Sequence, residues 1–166
     1  MIVRRLEEKD LSVRVLWMNH PKVYSSMHYE IPIVLENTIG WFKNNLHNDK
    51  RADVVFEDEG EIVGMGGLTN INREANKGEL YIFVNPNLQR SGIGTQATKL
   101  LCKFGFEELG LNKIYLETNE DNYAARRVYE KCGFQLEGFL REEYKTEEGQ
   151  LKGRLYYGLL KREYHG

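Results

Sequence analysis

Residues 84–95 read Val-Asn-Pro-Asn-Leu-Gln-Arg-Ser-Gly-Ile-Gly-Thr. An apolar run over 80–84 stops at a polar loop containing Pro86, and Gly92 and Gly94 then open a helical pattern. The N–H groups of such a loop, and of the first helical turn after it, have no partner within the chain. They point outward together, and the helix dipole adds partial positive charge. This is a site for a phosphate or pyrophosphate built from main chain rather than from lysine, so a phosphorylated cofactor is expected here.

Two further pairs of residues have spacings that suit chemistry. Glu79 and Tyr81 are two apart on a predicted strand, hence on one face, where they could relay a proton. A solvent-facing acid and a packed aromatic explain them equally well. Asn122 and Tyr129 are seven apart, two helical turns, and project from one side of their helix. A helix N-cap is the plainer role for Asn122, and a half-buried aromatic with a satisfied hydroxyl the plainer one for Tyr129.

The elements that must hold these residues follow from periodicity. Residues 2–6 read as a strand and 9–19 as a helix capped by Asp10, ended at His20-Pro21. Residues 35–46 repeat apolar side chains at helical spacing. Residues 52–57 and 61–68 flank a hairpin turn at 58–60, and Gly64, Gly66 and Gly67 crowd the second strand, marking a bulge or a close backbone approach. A polar loop over 70–77 leads to the strand 78–84. The helix after Gly92 places Ile93, Ala97, Leu100, Leu101 and Phe104 on one side and stops at Gly110. A strand at 113–117 after it makes a parallel pair with 80–84. A helix over 122–131 and two strands, 134–144 and 151–160, complete an α+β domain, 1–166, with a mixed, mainly antiparallel sheet.

Composition narrows the function. With 166 residues the chain can bury a core without metal or disulfide. A formal net charge of −2, with mixed signs throughout, gives no basis for a nucleic-acid or membrane partner. The two cysteines, Cys102 and Cys132, have no second cysteine at ligand spacing, so no metal is expected. Residues 1–10 alternate in charge with no apolar segment, and nothing approaches a membrane-spanning length, which reads as cytoplasmic.

Residues 92–97, Gly-Ile-Gly-Thr-Gln-Ala, match G-x-G-x-x-A, with Glu117 where a ribose-binding acid would stand. An NAD-dependent oxidoreductase is therefore one alternative. Against it, residues 85–91 separate the strand from the first glycine, and a hairpin precedes the unit. Acyl-coenzyme A fits better. Its pyrophosphate needs the same bare N–H groups, and its amide-rich arm can pair with a strand edge. Pro86 cannot donate to a neighbouring strand, so pairing should stop or splay there and admit the arm. A non-catalytic acyl-CoA-binding module is the second alternative.

The run Gln89-Arg90-Ser91-Gly92-Ile93-Gly94 resembles the Q/R-x-x-G-x-G/A element of the GCN5-related N-acetyltransferases (GNAT). Residues 119–134, from Asn119 through Asn122, Tyr129 and Gly133 to Phe134, resemble that family's N-x-x-A-x-x-x-Y-x-x-x-G-F element. The order of elements matches over nearly the whole chain. The resemblance is to the branch of ribosomal-protein, polyamine and amino-sugar acetyltransferases. It implies a GNAT-like fold and direct transfer of acetyl from acetyl-CoA to a primary amine: an amino sugar, a protein N-terminus or a polyamine. It implies pyrophosphate binding by the amides of Gln89, Arg90, Ser91, Gly92, Ile93, Gly94 and Thr95, and contact of Asn122 with the arm. Val84 N–H would polarise the thioester carbonyl and Tyr129 would protonate the leaving thiolate, with Glu79 and Tyr81 moving the amine's proton. His28, Tyr29 and Glu30 fall where the family places acceptor contacts; His28 is read as a base or as a solvated loop histidine. Homodimers are common in the family, and pairing of two copies is left open.

Overall fold

A computed structural model describes residues 1–88 and 92–166; Gln89, Arg90 and Ser91 lie outside the described residues. Seven strands form one sheet: β1 (Ile2–Arg5), β2 (Ala52–Asp58), β3 (Glu61–Asn72), β4 (Lys77–Val84), β5 (Lys113–Asn119), β6 (Gln135–Lys145) and β7 (Leu151–Leu160). Their spatial order is β1-β2-β3-β4-β5-β7-β6, antiparallel everywhere except between β4 and β5. That parallel step needs a crossover, and α4 (Ile93–Lys103) with a π turn over Phe104–Glu108 supplies it.

Alternation along the strands divides the core in two. Val54, Phe56, Leu68 and Leu80 face α4, meeting Ile93, Ala97 and Leu101, and α5 (Tyr123–Lys131) packs on that side through Tyr129. Val55, Met65 and Phe83 face the other way, onto Leu11 and Trp17 of α1 (Leu11–Met18) and Val23 of α2 (Pro21–Tyr24). Helix α3 (Leu35–Asn44) lies beside α1 there, contributing Ile39, Trp41 and Phe42. These assignments agree with the predicted elements to within a few residues, except that α2 lies outside them: His20-Pro21 ends the first helix but also starts this short one, His20 capping it and Pro21 at its first turn. Asp10 departs from expectation. Its side chain does not cap α1; the carboxylate accepts from Arg4 Nη1 and Nη2 at 2.8 and 2.9 Å and, in a capping box on the single turn Glu8–Asp10, from the Glu7 N–H.

The crowding of glycines in β3 marks both expected features: the register with β2 slips between Phe56–Gly64 and Glu57–Ile62, beside Gly64, and Gly66 and Gly67 are close approaches. A Cβ on Gly67 would stand 2.6 Å from the Ala52 carbonyl oxygen and 2.9 Å from the Tyr81 ring, and one on Gly66 would stand 2.5 Å from the Tyr81 carbonyl oxygen. The ring of Tyr81 therefore crosses β3 at a residue without a side chain. Gly67→Ala is expected to cost about 2–3 kcal/mol, a fall of roughly 5–10 °C in Tm. Thermal denaturation checks it, and an unchanged midpoint would mean the strands can part freely at this point.

The feature that shapes the site is where β4 and β5 part. Their register runs only from Lys77–Lys113 to Glu79–Tyr115. Beyond it β4 stays paired with β3 up to Val84, and β5 with β7 up to Asn119, leaving a gap between facing edges. The expected splay is present, but it opens well upstream of Pro86. The proline therefore does not end the pairing.

Candidate active site

The main chain of β4 turns toward the gap. Val84 lies opposite Gly64, and Asn85 N–H donates to the Val63 carbonyl at 2.9 Å. Main-chain groups alternate in direction along a strand, so Val84 directs its own N–H and C=O to the unpaired side. Across the gap, α4 begins at Gly92, whose φ of 87° is left-handed and suits glycine. Gln96 is the first residue of α4 whose N–H is bonded within the helix, to the Gly92 carbonyl at 3.0 Å. The N–H groups of Ile93, Gly94 and Thr95 precede the ladder. The Ile93 side chain is core, so that residue offers only its amide, and the Thr95 carbonyl accepts from Cys132 Sγ.

A cavity of about 360 Å³ occupies this space, bounded by Val84 and Pro86, by Gly94 and Thr98, and by Asn122, Val128 and Tyr129. Four residues expected at the site thus meet around one volume: Val84, Gly94, Asn122 and Tyr129. Gly92, Ile93 and Thr95 belong to the helix start beside it. Gln89, Arg90 and Ser91, the other expected pyrophosphate ligands, are outside the described residues. Lys22 of α2 also lines the cavity, its Nζ 3.4 Å from the Pro86 carbonyl oxygen, and no local sequence signal pointed to it.

Two side chains on α5 are set for a ligand. Asn122 is the N-cap, its Oδ1 accepting from Ala125 N–H at 3.2 Å, which leaves Nδ2 without a partner among the described residues. Tyr129 packs edge-on against Phe134, centroids 5.8 Å apart, and lies 6.5 Å from Tyr157. Its hydroxyl has no hydrogen-bond partner among the described residues. Burial, helped by the nearby thiols, pushes its pKa up to about 12. An unpartnered phenol that stays protonated is a proton donor awaiting an acceptor.

A second cavity, about 750 Å³, lies beyond the far end of β5. His28, Tyr29 and Glu30 all line it. His28 Nε2 is 2.8 Å from Asn119 Oδ1, and its ring lies 4.7 Å from that of Tyr144. Tyr29 donates to the Met18 carbonyl at 2.8 Å, so its hydroxyl is spent holding the loop to α1. Asp121, Glu147 and Glu148 join Glu30 around the cavity, opposed by Lys145. Asn119, Tyr144 and the two glutamates escaped the sequence reading, because only the pairing of β6, β7 and β5 brings them to the loop after α2.

Glu79 and Tyr81 stand elsewhere. Glu79 sits at the last paired position of β4 and β5 and accepts from Asn70 Nδ2 at 2.7 Å. The Tyr81 hydroxyl donates to Asp53 on β2 and accepts from Arg14 at 3.1 Å, while burial lifts its pKa to about 12. Neither residue borders the cavity that holds Tyr129 or the one that holds His28. They share a face, as read, but the phenol reaches over Gly67, away from the gap. Glu117, the would-be ribose ligand of a dinucleotide site, is paired with Arg154 at 3.0 Å.

This geometry fits coenzyme A: bare amides for a diphosphate, an open strand edge for an amide-rich arm, and a phenol at the far side. Known proteins agree. A family model for the acetyltransferase (GNAT) domain matches residues 1–135. Spermidine N(1)-acetyltransferase of Escherichia coli K12 is 31% identical over 152 residues, spanning 86% of this chain and 76% of that protein. A putative ribosomal N-acetyltransferase of Bacillus subtilis is 33% identical over 108 residues, 65% of this chain and 58% of the other. The crystal structure of the Vibrio cholerae spermidine N-acetyltransferase in complex with CoA and spermine superposes with a TM-score of 0.91 at 26% identity, covering 98% of this chain and 96% of that one. No helix among the described residues is long and apolar enough to cross a membrane. The chain belongs to the GNAT acetyltransferases, enzymes that take their acetyl group from acetyl-CoA.

Proposed function

We propose that this enzyme acetylates a primary amine of a polyamine. The observation that carries the reading is the charge of the second cavity: Glu30, Glu147 and Glu148, with Asp121 already held by Lys152 at 2.9 Å, against one lysine of the lining, Lys145. A flexible polycation meets aromatic faces at Tyr144 and Tyr29 and several acids around a space large enough to hold it. The relatives named for spermidine acetylation support the same class.

The chain's residues divide the work as follows. The amides of Ile93, Gly94 and Thr95, with those of Gln89, Arg90 and Ser91, hold the diphosphate of the co-substrate. Val84 and Asn122 Nδ2 hold the arm. The amine enters from the acid-lined cavity and must lose a proton before it can attack. With Nε2 of His28 donating to Asn119 Oδ1, Nδ1 is left basic and takes that proton. Val84 N–H donates to the thioester oxygen as it gains charge. When the new C–N bond has formed and the C–S bond breaks, Tyr129 gives its proton to the sulfur, and the second proton, which the nitrogen sheds as it becomes an amide, restores the phenol. Glu79 and Tyr81 have no part in this scheme.

Initial rates of CoA thiol release with spermidine test it. Glu147→Gln combined with Glu148→Gln is expected to raise the KM for spermidine about five- to tenfold, as two solvated attractions disappear, and to leave the KM for acetyl-CoA unchanged. Rising salt should act in the same direction. Acetylation of a peptide N-terminus with no turnover of spermidine would replace the polyamine by a ribosomal-protein type of acceptor.

A further inference from the structure

Arg14 lies on the apolar face of α1, one turn from Leu11 and from Trp17, and is only 5% exposed. A guanidinium has five N–H donors and cannot shed its charge. Here one donor is used, on the neutral hydroxyl of Tyr81 at 3.1 Å. No carboxylate among the described residues is within ion-pair distance of it. Asp53, the acid of this neighbourhood, is held bidentately by Arg51, both contacts at 2.8 Å, and also takes the Tyr81 proton. Trp41 lies between the two guanidiniums, its indole 4.9 Å from that of Arg14 and 4.8 Å from that of Arg51. Two buried or half-buried cations thus share one anion.

Both arginines line a cavity of about 410 Å³ between α1 and α3, walled by Trp41, Thr38, Asn37 and Ile33. We propose that this cavity binds a small carboxylate, with the Arg14 guanidinium as its principal ligand. The Arg14 Cζ lies over the rings of Trp41, Tyr81 and Phe83, at 4.9, 5.6 and 5.6 Å; these contacts attract the charge but give no hydrogen-bond acceptor to the N–H groups that Tyr81 leaves over. Those groups are not sealed off. The one fully enclosed side-chain nitrogen or oxygen without a partner among the described residues is Arg154 Nε, so the spare donors of Arg14 are not fully enclosed, and Arg14 lines this cavity. A carboxylate matches a guanidinium fork edge to edge and supplies the missing negative charge. Glu30 borders the cavity too, but its side chain makes no ion pair with Arg14 and is exposed to the acceptor side. The site is separate from the one holding Tyr129 and does not depend on which amine is acetylated.

Succinate and its neutral analogue succinamide are the probes, in low-chloride buffer, followed by calorimetry, thermal shift and tryptophan fluorescence. Succinate is expected to bind saturably, raise Tm by several degrees and change the fluorescence, while succinamide does none of these. Arg14→Met should bind succinate at least tenfold more weakly and, without ligand, melt no lower than the wild type, because an unpaired charge has been replaced by a fitting apolar chain. Arg14→Lys keeps the charge, loses the fork, and should also bind at least tenfold more weakly should the methionine variant not fold. Absence of saturable binding by succinate, glutarate and glutamate to the wild type would overturn the proposal, as would equal succinate affinity in the wild type and a folded Arg14 variant.

Discussion

Tyr129→Phe is expected to lower kcat by about 10²-fold or more while the KM for acetyl-CoA stays within about twofold of wild type. The ring remains to pack on Phe134 and Tyr157, and the cavity keeps its shape, so binding has no reason to change. What disappears is one proton. A thiolate leaves badly unless protonated or hydrogen-bonded, and the hydroxyl of Tyr129 is a donor without another use among the described residues. The pH profile sharpens the test. With its pKa pushed up to about 12 by burial, Tyr129 is protonated at every assay pH and cannot itself produce an alkaline decline. Wild-type kcat/KM should therefore climb from pH 7 to pH 9 as the amine loses its proton, and the variant should climb in parallel at a lower level. Equal turnover in the two proteins, measured by thiol release, would remove Tyr129 from the chemistry.

How much of this was legible in the sequence depends on the distance over which each feature is encoded. The glycine loop and the run from Asn119 to Phe134 are local: spacing alone places Gly94 at a helix start and Asn122 and Tyr129 on one helical side. The strands were legible from alternation, and the parallel pair from the helix between them. The extent of the gap was not. Pairing of β4 with β5 stops at Glu79 and Tyr115 for reasons spread over the whole sheet, whereas the proline that drew attention lies farther along. Tyr81 shows the same limit in another form. Its face was predictable, but the direction of its hydroxyl depends on Gly67 having no side chain and on Asp53 two strands away. Likewise the acids of the second cavity come from the loop after α2, from the loop between β5 and α5 and from the turn between β6 and β7, the first and last of these more than a hundred residues apart. Arg14 is the clearest case. An arginine in a helix is ordinarily solvated, and only the packing of α1 against Tyr81, Phe83 and Trp41 buries it.

Gly94→Asp separates binding from folding at the other end of the cavity. A Cβ at this position would meet only Val128 Cγ2, at 3.9 Å, so a side chain has room. An aspartate in the first turn of α4 also complements the helix dipole, which contributes about 0.3–1 kcal/mol toward stability. The variant should therefore fold and melt at or slightly above the wild-type temperature. For a diphosphate the same carboxylate is a rival. It projects into the cavity where the ligand must run, repels it, and can itself accept from the N–H groups of Ile93, Gly94 and Thr95. Like charges brought together at a binding site cost several kcal/mol, so the affinity for CoA should fall about 10²- to 10³-fold. Gly94→Ala adds the bulk of a methyl without the charge, and its affinity should stay within a few-fold of wild type. Calorimetry with CoA on the three proteins decides the matter. Binding by the aspartate variant at near wild-type affinity would mean that the diphosphate lies away from the start of α4, and that the bare amides there serve nothing but the turn.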